Sequence, residues 1–168
     1  MPNDNKNNTS DNEEENELEE LLDLAEQGDS KAQSDLFELA QKGDSKSQIY
    51  LAHYYYKTDL DNKKEAILEL LELAANQGNA DAMNILGEFL YEIDKHDKAE
   101  IWFKEAAKHS HKEALRNLGL HYHDNGNNLE EIFKLLHEAV ENQSEETSFY
   151  IESINYDIWK ESNGLDQD

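Results

Sequence analysis

The sequence predicts an all-α protein, a solenoid of antiparallel helix pairs with capping helices at both ends. Three observations predict it. A helix-ending turn recurs: Leu24-Ala25-Glu26-Gln27-Gly28-Asp29-Ser30, then Leu39-Ala40-Gln41-Lys42-Gly43-Asp44-Ser45, then Leu73-Ala74-Ala75-Asn76-Gln77-Gly78-Asn79. A later version without the glycine runs from Glu105 through Ala106, Ala107 and His109-Ser110-His111 to Ala114. The register is regular, because Ala75 to Ala107 is 32 residues and Ala107 to Val140 is 33. A small residue is followed four later by Leu and five later by Ala or Gly, as Ser47/Leu51/Ala52, Ala82/Leu86/Gly87 and Ala114/Leu118/Gly119. Repeated turns at a fixed period mark stacked supersecondary units, and small residues let neighbouring helices approach closely.

The elements follow in order. Residues 1–16 are rich in Asn, Asp and Glu with no apolar period and read as a disordered acidic tail. A helical repeat domain is expected over 17–160. Its first helix, 17–27, carries Leu18, Leu21, Leu22 and Ala25 at helical spacing. Gly28 stops it, and Asp29 and Ser30 can cap the next. That helix, about 30–42, carries Ala32, Leu36, Leu39 and Ala40. A helix at about 46–57 and another at 63–76 are separated by a polar turn, Thr58 to Asn62. The next pair starts at Ala82 and holds Leu86, Phe89 and Leu90, turns at Asp94–Asp97, and returns with Ala99, Trp102, Phe103, Ala106 and Ala107. A further pair begins at Ala114, turns at Asp124–Asn128, and returns with Ile132, Leu135, Leu136, Ala139 and Val140. The last helix, about 145–160, carries Phe149, Ile151, Ile154, Ile158 and Trp159, before a flexible tail at 161–168. The single proline, Pro2, breaks none of these helices.

The sets Ala82…Leu86-Gly87, Lys98-Ala99…Trp102-Phe103…Ala106-Ala107 and Ala114…Leu118-Gly119…Tyr122 resemble Sel1-like repeats, relatives of tetratricopeptide repeats. The likeness covers about 46–142; 17–43 and 144–160 match weakly, as capping elements do. The loops Thr58–Asn62 and Asp94–Asp97 lack the family's usual glycines. The resemblance implies a right-handed solenoid and a scaffold that binds another protein in a concave groove lined by the first helix of each pair. It places Ile49, His53, Tyr56 and Lys57 on that groove in the first unit. The second contributes Asn84, Glu88, Tyr91 and Glu92, and the third Arg116, Leu120, His123 and Asp124. The aromatic members suit contact anchors; alternatively, Tyr54, Tyr55 and Tyr56 cover the seams between helices.

Charge narrows the partner. The formal net charge is −24, from 39 acids against 15 Lys and Arg. Residues 1–26 hold ten acids and one Lys, and residues 143–168 seven acids and one Lys. Phosphate binding needs Lys and Arg, so nucleic acid and anionic lipid are not expected partners. A basic protein is the expected partner, although acidic ends also confer solubility. The same charge and the small size admit an immunity or antitoxin protein that neutralises a basic bacterial toxin, such as a nuclease effector. The absence of cysteine excludes thiol nucleophiles and thiolate metal sites, and suits a cytoplasmic protein. The start of the sequence has no apolar run, so no signal peptide is expected, and no membrane-spanning run occurs. No histidine pair falls at i, i+4, and His121 and His123 point apart on one helix. With no phosphate loop or nucleophile elbow either, no metal, cofactor or enzymatic activity is expected.

Overall fold

The structure, a computed structural model, describes residues 7–109, 111–139 and 145–164. Among them there are eight helices and no strand: α1 (Asn7–Glu26), α2 (Ser30–Gln41), α3 (Ser45–Asn76), α4 (Ala80–Glu92), α5 (His96–Lys108), α6 (Lys112–Asp124), α7 (Leu129–Ala139) and α8 (Glu145–Ser162). The chain divides into two compact units, Met1–Ala82 and Met83–Asp168, where the sequence reading expects one repeat domain over 17–160. Val140 and Ser110, used in that reading, lie outside the described residues.

Local chemistry sets the helix ends. Gly28, Gly43 and Gly78 take φ of 93°, 91° and 87°, the left-handed backbone that closes a helix and suits glycine. An acceptor side chain then caps each following helix. Asp29 Oδ1 accepts from the N–H groups of Lys31 and Ala32, both at 2.9 Å. Asp44 Oδ2 accepts from Ser47 N–H at 2.7 Å, and Asn79 Oδ1 from Ala82 N–H at 2.9 Å. At the fourth turn His111 does the same, its Nδ1 accepting from Ala114 N–H at 3.1 Å. A neutral imidazole is needed for that bond. Between α4 and α5, where no glycine is present, Asp94 adopts φ 59°; aspartate tolerates this region better than most residues.

Two boundaries differ from the sequence reading. Helix α1 begins at Asn7, inside the stretch read as an acidic tail. Adding turns to a helix already anchored by Leu18 and Leu22 needs no second nucleation. The expected turn at Thr58–Asn62 is a kink: only Asp59, with φ −154° and ψ 47°, leaves helical geometry inside α3. Thr58 Oγ1 donates to Tyr54 O at 2.6 Å before the break, and Asn62 Nδ2 to Asp59 Oδ1 at 2.6 Å after it, so a side chain supports each flank.

In the first unit α1 packs on α2 and α3, and α2 on α3. Leu18, Leu22, Leu36, Ala40 and Leu51 form its core, with Tyr54 and Tyr55 half-buried against it. Gln33 Nε2 donates to Ala25 O at 3.1 Å, tying α2 back to the end of α1. Lys57 Nζ lies 3.0 Å from Glu26 Oε1, an exposed bridge from α3 to α1. In the second unit α6 packs on α5, α7 and α8. Leu86, Leu118, Ile132, Leu136 and Ile151 have no exposed surface there. Both helical glycines sit at close approaches. A Cβ on Gly87 would meet the Phe103 ring at 2.5 Å, and one on Gly119 would meet Ile154 Cγ2 at 2.9 Å.

Candidate functional site

Helices α4, α5 and α6 of the second unit surround a pocket of about 260 Å³. Helical periodicity builds its α4 wall: Glu88, Tyr91 and Glu92 fall at i, i+3 and i+4, on one face. Helix α6 contributes Leu120 and Asp124 by the same spacing, with Asn117 and His121 beside them, and Phe103 of α5 closes the apolar side. The lining holds three carboxylates and neither Lys nor Arg.

Hydrogen bonds hold the wall in place. Tyr91 Oη donates to Asp124 Oδ2 at 2.6 Å. That bond, then partial burial and the charge of Asp124, raise the pKa of the phenol, so Tyr91 is a neutral donor at physiological pH. Asn84 Nδ2 and Asn117 Nδ2 donate to Glu88 Oε1 at 3.0 and 2.9 Å, and Asn117 also donates to Asn84 Oδ1 at 3.1 Å. The Tyr91 ring meets His96 edge-on at 4.3 Å and His121 at 6.0 Å between centroids. Three side-chain contacts, from Asp124, His96 and His121, therefore orient the ring and its hydroxyl.

Within this lining, buried His121 places Nε2 3.5 Å from Glu100 Oε2 and 3.0 Å from Asn125 Nδ2. Glu100 also meets Lys104 Nζ at 2.7 Å. Burial alone would raise the Glu100 carboxyl, but the Lys104 ammonium, with His121, outweighs it and holds the pKa below 4.5. A carboxyl depressed in the folded state stabilises the fold above its unfolded pKa and loses that contribution as pH falls through the folded value. Glu100→Gln should therefore lower the melting temperature at neutral pH, by ~1–2 °C for a partly exposed i, i+4 pair worth ~0.3–0.5 kcal/mol. The gap to the unmodified chain should close below pH 4.5. Circular-dichroism melts across pH test this; a gap that widens toward acid would rule the pairing out.

The residues expected on the groove fall into different settings. Glu88, Tyr91, Glu92, Leu120 and Asp124 share the pocket. Asn84 is buried behind it and acts through Glu88 and Asn117. Arg116 is exposed and is not part of the lining; Asn117, its neighbour, has the inward place that the resemblance assigns to Arg116. The asparagine pair 33 residues apart, Asn84 and Asn117, was the available signal. His123 Nε2 lies 3.0 Å from Ser162 Oγ of α8. Ile49, His53 and Tyr56 share a face of α3 in the first unit by their i, i+4 and i+7 spacing; Ile49 is half-buried, and His53 and Tyr56 are exposed. Partial burial of the His53 ring and the nearby Lys57 lower its pKa against the opposing pull of Glu26.

Among the described residues no group of three or more His, Asp or Glu stands ready to hold a metal ion. No described helix is long and apolar enough to cross a membrane. The chain matches no family model, no curated protein and no solved structure against which it was compared.

Proposed function

We propose that this chain is a protein–protein interaction module, a right-handed solenoid of Sel1-like or tetratricopeptide-like helix pairs, that captures a basic protein. The observation that carries the reading is the pocket of Glu88, Glu92 and Asp124, which holds three carboxylates and no cation. Its apolar side, Phe103 and Leu120, suits the methylene stem of a Lys or Arg, and its carboxylates suit the charged head. Tyr91 and the two asparagines orient Asp124 and Glu88 before any ligand arrives, which lowers the ordering cost of binding. The net charge of −24 would steer a basic partner toward the chain.

The test begins with affinity capture from the native cell at low and moderate salt. The captured partner is then titrated against the triple variant Glu88→Gln, Glu92→Gln, Asp124→Asn. The variant should bind at least about tenfold more weakly, a loss of ~1.4 kcal/mol, with its helical circular dichroism unchanged. Equal affinity for both chains would overturn the pocket assignment. A second reading, an immunity or antitoxin protein, is favoured by the same large negative charge. One dominant basic toxin retained at moderate salt would select it, and several unrelated partners would select the general adaptor.

A further inference from the structure

The first unit carries a larger groove of about 530 Å³, bounded by α1, α2 and the start of α3. Its floor is apolar: Leu18, Leu21 and Leu39 lie there, and the last two are half-buried. Its rim is acidic, with Glu14 and Glu17 on α1 facing Asp35 and Glu38 on α2. Two ammonium groups also line it, Lys42 at the C-cap of α2 and Lys46 at the start of α3, and Lys46 Nζ is 3.7 Å from Glu15. Asp44, also at this end, is engaged in capping α3. An apolar trough between two acidic walls is the complement of an amphipathic helix with an apolar face flanked by cations.

We infer that this groove is a docking site for a lysine- or arginine-rich amphipathic helix of a partner protein. Roughly two or three apolar residues at i, i+3 or i+4 spacing would rest on Leu18, Leu21 and Leu39. Flanking cations would meet Glu14 and Glu17 on one side and Asp35 and Glu38 on the other. Charge selects this occupant over the alternatives. A second copy brings another −24, and the chain's own residues 143–168 hold seven acids against one Lys, so both are repelled. Nucleic acid is repelled for the same reason. The inference concerns the first unit and does not depend on the Glu88–Asp124 pocket.

The test uses the full chain and a 15-residue leucine–lysine peptide whose leucines fall on one helical face. A control peptide of the same composition has its leucines scrambled around the helix. The amphipathic peptide should bind at least about tenfold more tightly than the scrambled one by isothermal titration. It should shift the backbone amide resonances of Leu18, Leu21, Leu39 and Lys42 in the labelled chain. The rim variant Glu17→Gln, Asp35→Asn, Glu38→Gln should weaken binding by at least about tenfold, whereas Glu88→Gln with Asp124→Asn should leave it unchanged. Equal affinity for the two peptides would reduce the interaction to bulk charge attraction and overturn the proposal. So would absence of binding, or shifts confined to the second unit.

Discussion

Replacing Gly87 by leucine is expected to destabilise the second unit by ~2 kcal/mol or more. The first atom added already has no room: a Cβ would stand 2.5 Å from Phe103 Cε1 and 2.6 Å from Cδ1. Phe103 is 2% exposed, so its ring is packed on every side but the edge that lines the pocket. A leucine adds three further carbons in the same direction, and overpacking of this kind typically costs ~1–3 kcal/mol, sometimes more. Leucine is a better helix former than glycine by somewhat under ~1 kcal/mol, which offsets only part of the penalty. For a chain of this size ~2 kcal/mol corresponds to a fall in melting temperature of ~4–8 °C. Thermal unfolding followed by circular dichroism measures it. An unchanged or raised melting temperature would mean that α4 and α5 do not approach as described.

Replacing Leu36 by alanine should destabilise the first unit by ~2–5 kcal/mol. Leu36 is fully buried in the cluster of Leu18, Leu22, Ala40 and Leu51, so truncation removes buried carbons and leaves a cavity that neighbouring helices can only partly close. Leu39, three residues on, is half-buried at the groove, and its truncation should cost less. Urea unfolding with native-state hydrogen exchange measures the loss and locates it. Protection should fall first in α1, α2 and α3, since their amides share the cluster. A loss under ~1 kcal/mol would show that Leu36 does not anchor this core.

The helical class and most helix ends are legible in the residues alone. Those signals are local. Gly28, Gly43 and Gly78 supply a backbone conformation, Asp29 and Asp44 supply an acceptor three residues before the N–H they bind, and apolar spacing marks the buried face. Each is complete within one or two turns of chain. Where the local signal was absent or ambiguous, packing and context decided. Residues 7–16 carry no apolar period, yet continue a helix anchored by Leu18 and Leu22. The polar run at Thr58–Asn62 looks like a loop, but one residue suffices to redirect α3. His111 has the wrong side chain for a customary cap and serves as one because its ring nitrogen reaches Ala114. The candidate site divides in the same way. The family resemblance places Asn84, Glu88, Tyr91 and Glu92 together, and the i, i+4, i+7 spacing puts the first three on one helix face. Helix packing sets the rest: Asn117 rather than Arg116 faces Glu88, Tyr91 binds Asp124 across 33 residues, and Leu18, Leu21 and Leu39 floor a second groove. Those relations depend on how helices distant in sequence are rotated against one another. That rotation is set by which side chains interlock at the seams, and no short window of sequence contains both partners of a seam.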